Sequence, residues 1–411
     1  MGTGTESGLI KKHKLLLIIA IFLMIQLGLL PAYIKIGGDY LSAGNTRVDS
    51  AAQGHELVPE YDRSLKKVVI SLSVKDTSLE AQLKLINAFP EYTHIFVLLP
   101  DSSFSAISEE LRLEPIGERT TLLPYPTEHK KKMQTYLVFP EKDKLVQVTS
   151  EQAVFPFGSS WAQDLFEVAV RPDGKRVLLI SDTYKWFASF GSSSNLNVVS
   201  DNSYLSVLSE TGAAVERLEL TFSGGNIMND RIGDTTIVFY GGDVLRKTRL
   251  VRKSTKGSKA PSNSKIAAML KKATNADKVV VIGQEVQPAL LFHLDQAMLP
   301  LPGRIMAITN IVGELPVAAK AAQEIKEVEV FLSQVREAAL KLGYRLVDVD
   351  NSAANLLRHQ HYINAIPFIN TAGGQRTILM PFFADELFLD ELAVKNKELF
   401  ESLGFRVIPV H

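Results

Sequence analysis

The sequence predicts an α/β fold, a closed pseudo-five-fold α/β propeller of ββαβ units preceded by an N-terminal transmembrane helix. Two observations predict the propeller. The order strand, turn, strand, helix, strand recurs at intervals of very roughly seventy residues, the mark of stacked repeats that share a core. With 411 residues and 46% hydrophobic composition, the chain also has enough apolar material for one large domain. A third observation predicts the membrane helix. Lys11, Lys12 and Lys14 precede an apolar run over 15–34 that is about as long as a short membrane span. The expected organisation is a cytoplasmic tail (1–14), a transmembrane anchor or signal segment (15–34), a polar, aperiodic linker (35–65) and one domain (66–411). Basic residues on the N-terminal flank place that end in the cytoplasm and the domain outside, periplasmic or extracellular.

The units are justified in chain order. In the first, 68–74 and 95–99 read as strands and 79–88 as a helix, with Thr77 and Glu80 spaced as a capping box and Leu79, Leu83 and Ile86 on one face. In the next, 166–170 and 177–180 flank Pro172-Asp173-Gly174 as a hairpin. A third runs from Asn226 through a strand at 235–240, a helix near 264–273 and a strand at 279–282. A fourth has an apolar run at 290–299, a turn at 300–303, a strand at 304–309, a helix across 317–342 stopped by Gly343, and a strand at 345–349. The last has runs at 362–369 and 377–382 around Ala372-Gly373-Gly374, then a helix over 385–403. There Gly404 acts as a C-cap before a strand at 405–410.

Composition excludes several functions. No cysteine occurs, which removes disulfides, thiolate metal sites, iron–sulfur clusters and cysteine nucleophiles from this sequence. Forty-five basic and 45 acidic residues cancel, so no bulk charge argues for nucleic acid. Dinucleotide, Walker A, nucleophile-elbow and zinc-helix motifs are absent, which disfavours nucleotide chemistry and leaves no cofactor implied. What remains is a polar motif near the start of successive units: Trp161-Ala162-Gln163-Asp164-Leu165-Phe166-Glu167, then Ser223-Gly224-Gly225-Asn226, then His293-Leu294-Asp295. In a propeller such starts converge near the axis and line one pocket. Read alone, Asp164 could be a capping aspartate and Gly224-Gly225 a turn. His293 and Asp295, two apart on a strand, could be a surface pair on one face. His359 and His361 would likewise share a strand face and suggest metal, but no third ligand accompanies them.

Taken together the three motifs resemble the guanidine-modifying enzymes of the pentein superfamily, which include the agmatine, arginine and peptidyl-arginine deiminases. Trp161 to Glu167 is most similar to the peptidyl-arginine version, and the resemblance covers roughly 68–410. It implies carboxylates at Asp164 and Asp295 that hold a planar guanidinium by charge-assisted hydrogen bonds. It further implies His293 as acid and base, with Trp161, Gln163, Glu167, Gly224, Gly225 and Asn226 binding substrate. The family's nucleophile is a cysteine on a Gly-x-x-His-Cys segment shortly after the strand equivalent to 405–410. This sequence stops at His411, so the expectation is a deiminase-like protein that lacks its nucleophile and is inactive as it stands. Ser223 occupies a position where arginine and agmatine deiminases carry glutamate. Leu165 replaces an acidic residue of calcium-dependent relatives. The implied partner is a guanidinium-containing small molecule or a protein arginine. The alternative is a non-catalytic pentein that binds arginine-like ligands or a partner protein. The basic stretch 246–272 reads as a solvated loop and helix face, with anionic lipid or polymer as a further possibility and nucleic acid disfavoured.

Overall fold

In the computed structural model the chain divides into two compact units, Met1–Arg47 and Val48–His411. The structure describes residues 54–72, 79–100, 104–113, 117–125, 132–139, 144–151, 166–181, 185–190, 193–198, 208–256, 261–285, 287–314, 318–383 and 390–410, all within the second unit. The apolar run 15–34 lies outside them. Among the described residues no helix is long and apolar enough to cross a membrane.

Residues 54–65, expected within a linker, are packed into the domain. Strand β1 (Glu56–Leu57) is followed by a 3-10 turn at Glu60–Asp62, and Leu57, Tyr61 and Leu65 are buried. Isolated apolar residues in an aperiodic stretch gave no period to read, which is why this docking was not foreseen. Next come β2 (Lys67–Ser71), α1 (Leu79–Ala88), β3 (His94–Pro100), α2 (Phe104–Leu113) and β4 (Thr120–Tyr125). Both strand pairs are parallel. This unit is therefore β-α-β-α-β and not ββαβ: each connection contains a helix long enough for a parallel crossover. Thr77 of the expected capping box lies outside the described residues.

Strands β5 (Lys132–Phe139), β6 (Lys144–Glu151), β7 (Phe166–Val170), β8 (Arg176–Ser181), β9 (Lys185–Phe190), β10 (Ser193–Val198) and β11 (Ala214–Leu218) follow. The β7–β8 hairpin turns through Gly174, whose φ of +80° suits glycine. β8 pairs in parallel with β11, while β1 pairs antiparallel with β7 at the opposite edge of the sheet from β11. β6, β5, β10 and β9 form a separate antiparallel sheet, interrupting the chain before β7 and again between β8 and β11.

The remaining three units repeat one plan. They are β12 (Ile227–Ile232), β13 (Thr235–Gly241), α3 (Gly242–Lys256), α4 (Asn263–Thr274), β14 (Lys278–Ile282); β15 (Met298–Leu301), β16 (Ile305–Val312), α5 (Ala319–Lys341), β17 (Arg345–Ser352), α6 (Ala353–Leu357); and β18 (Ile366–Asn370), β19 (Gln375–Pro381), α7 (Glu391–Ser402), β20 (Arg406–Val410). In each, an antiparallel hairpin is joined through helix to a third strand parallel to the second. α5 forms because Ile325, Val328, Phe331, Leu332, Val335 and Ala339 make one buried stripe. Gly343 and Gly404 follow α5 and α7 at φ +77° and +88°. Ser262 caps α4 by accepting from Lys265 N, and Asp390 caps α7 by accepting from Leu392 N. Of the apolar run 290–299 only Met298 and Leu299 are strand, because a 3-10 turn at Leu294–Gln296 intervenes. The basic stretch contains helix α3, not only a loop and one helix.

Apolar clusters link the units in a ring. Phe96 and Leu98 of β3 pack with Leu178 and Ile180 of β8, and Leu179 with Val238 of β13. Phe239 joins Met306 of β16 and Ile378 of β19, and Phe368 of β18 and Leu379 pack with Ile95 and Val97 of β3, returning to the first unit. Five sheets thus close on one another, with the inner strand β12 beside β15.

Candidate functional site

Two short turns precede neighbouring inner strands and meet. Gly224–Asn226 leads into β12 and Leu294–Gln296 leads into β15. A side chain at Gly225 would put its Cβ 2.7 Å from Asp295 Oδ2 and 2.9 Å from His293 Nδ1, so only glycine lets the backbone lie against both groups. Asn226, fully buried, ties the turns together: its Oδ1 accepts from Leu294 N (3.1 Å), and its Nδ2 donates to Phe292 O (2.9 Å) and Asp243 Oδ2 (3.1 Å). Both its donors and its oxygen are engaged within the protein, so here Asn226 orients the His-x-Asp turn. His293 N donates to Gln296 Oε1 at 3.2 Å. His293 and Asp295 stand on a turn and not on a strand, yet both point at Gly225.

An acidic group adjoins them. Glu167 lies on β7, 5% exposed, with Arg63 Nη2 3.8 Å from its Oε2, and Arg63 Nη1 lies 3.9 Å from Glu60 Oε1. Burial first, then the like charges of Glu60 and Asp295, hold the Glu167 carboxyl well above its ordinary range against the opposing pull of Arg63. Glu60 is also raised by burial, partly offset by Arg63. Among the described residues, Arg63 lies between Glu60 and Glu167, and Asp295 is near enough to Glu167 to raise its carboxyl further.

Histidines enter from a third unit. His359 sits at φ +56° after α6, and its ring lies 6.2 Å from that of Phe292, which meets the His293 ring edge-on at 4.4 Å. His361 is buried, and burial followed by the nearness of His359 and His293 pushes its imidazole down to about 3, so it is uncharged. Neither histidine is on a strand, contrary to expectation, because β18 begins only at Ile366. Among the described residues no group of three or more His, Asp or Glu side chains could hold a metal ion.

Of the residues picked out by sequence, Glu167, Gly224, Gly225, Asn226, His293 and Asp295 are brought together or adjoin one another. Trp161, Gln163 and Asp164 lie outside the described residues. Glu60 and Arg63 were missed. They come from a segment without periodicity, and only tertiary contact relates them to Glu167.

No family model matches the chain, and no curated protein matches it by sequence. Solved structures do match. Agmatine deiminase of C. jejuni aligns over 89% of this chain and 92% of its own with a TM-score of 0.52 and 13% identity. Agmatine deiminase of Enterococcus faecalis aligns over 89% and 93% with a TM-score of 0.52 and 12% identity. The domain has the α/β pentein fold. In pentein terms β12, β15 and β18 are the inner strands of three successive units. The glycine and His-x-Asp turns occupy the starts of the first two.

Proposed function

We propose that this pentein domain binds guanidinium groups between Asp295, Glu167 and His293, with the segment around Asp164 completing the site, in the manner of deiminase-type chemistry. The observation that carries the reading is the convergence of His293 and Asp295 on Gly225 beside a buried, charge-crowded Glu167. A planar cation with several N–H donors meets the needs of such a group better than a neutral or anionic ligand. Asp295 and Glu167 accept its N–H groups and orient its central carbon. His293 is placed to move a proton to or from a ligand nitrogen. The 411 residues contain no cysteine, so no thiolate attack is open to this sequence, and the proposal is binding without turnover. The ligand is agmatine-like or a protein arginine. We further propose that residues 15–34 anchor the chain in a membrane with the domain on the extracytoplasmic side, on the strength of the lysine flank and the apolar run.

Calorimetry with agmatine, arginine and an acylated arginine ester, beside an ammonia-release assay, tests this. Binding of at least one ligand without ammonia is expected, and Asp295→Asn should weaken it by about 1.5–3 kcal/mol. A folded chain blind to all three ligands overturns the binding reading, and ammonia release overturns the absence of turnover.

A further inference from the structure

We propose that His361 is a ligand-contacting, specificity-determining residue of this site, accepting an N–H of the bound cation through an unprotonated ring nitrogen. The inference rests on the guanidinium reading above and adds a residue that the motifs do not include. Its support is the state of the imidazole. His361 is 3% exposed, and neither Nδ1 nor Nε2 has a hydrogen-bond partner. Another histidine of the domain shows what a structural role looks like: His94 Nε2 lies 2.8 Å from Thr121 Oγ1. A buried imidazole with both nitrogens unsatisfied is unfavourable in the empty domain, and such groups are rare unless something else uses them.

Position and charge say what that is. His361 comes from the unit after the one that carries the His-x-Asp turn, and it is close enough to His293 and His359 to feel both electrostatically. Glu167, on a different unit, likewise keeps its Oε1 without a partner and is 5% exposed. A protonated imidazole would repel a cationic ligand. The same surroundings that leave His361 without partners also keep it neutral at every ordinary pH, so it offers a lone pair to a ligand N–H. Carboxylates on one side and a neutral nitrogen on the other favour guanidinium over a primary ammonium. The compact ammonium satisfies the carboxylates without reaching across.

The test uses the full chain with His361→Leu and His361→Asn, titrated with agmatine and with its diamine counterpart putrescine, alongside thermal melts. His361→Leu is expected to keep or raise Tm, since it removes an uncompensated polar group, while weakening agmatine at least about tenfold and putrescine little. His361→Asn, which retains an acceptor, should recover part of the loss. Because the imidazole stays neutral above about pH 3, the agmatine ratio between wild type and His361→Leu should be the same at pH 5.5 and pH 8. Equal agmatine affinity in wild type and His361→Leu overturns this assignment alone. So does a fall in Tm that accounts for the loss equally in both variants. A wild-type chain that binds no guanidinium overturns it together with the reading beneath it.

Discussion

Glu167 illustrates how one side chain can set both stability and affinity. Its carboxyl ionises near 4.5 in an unfolded chain but retains its proton to higher pH when folded. The folded form therefore holds the extra proton in that window, and the stability it confers is complete below about pH 4.5 and lost as pH rises through the folded value. Glu167→Gln should accordingly melt higher than wild type at pH 8, with the difference vanishing near pH 4, and should bind agmatine more weakly. Differential scanning fluorimetry across pH checks the first part, and an unchanged Tm at pH 8 would count against it. Gly225 is constrained from the opposite direction. Gly225→Ala forces Cβ against Asp295 and His293, at a cost of about 1–3 kcal/mol in urea unfolding and a loss of ligand binding by calorimetry. Gly225, His293 and Asp295 were legible in the sequence because polar residues interrupt otherwise apolar runs. Arg63 was not, since it sits in no pattern and matters only through neighbours distant in the chain, while His361 was legible only as half of a histidine pair that suggested metal.

At the scale of elements, the two turns behave as one piece because Asn226 bonds across them. Asn226→Ala leaves Leu294 N and Phe292 O without that partner in a buried place, which should cost about 1–3 kcal/mol. Hydrogen exchange should then speed up at Leu294 itself, and retained protection there would show that the clamp is dispensable. Helices α4, α5 and α7 were readable to within a few residues at most ends because an apolar stripe and a following residue at positive φ agree on where each stops. The separate β6-β5-β10-β9 sheet was not. Its strands fall between the first two units and within the second instead of repeating a unit, so a search for the recurring order passes over them.

For the domain as a whole, the ring of apolar clusters makes distant units share one fate. Phe368 is fully buried in β18 but packs with residues of β3, so Phe368→Ala should cost about 3–5 kcal/mol and loosen both. Denaturation followed by circular dichroism and by tryptophan fluorescence should still coincide in one transition, whereas two separated transitions would mean that the ring opens at this seam before it melts. The alternation of strands and helices was legible because each unit repeats a plan, and in the first unit the strand, helix and strand over 68–99 were read correctly while the second helix and third strand were missed. The docking of β1 on β7 has a consequence for biosynthesis. Strand β1 lacks its β7 partner until that strand is made, and Ile95 and Val97 of β3 lack Phe368 and Leu379 until β18 and β19 follow. Ile95 and Val97 thus lack part of their packing until late in translation, which makes this a domain that completes late.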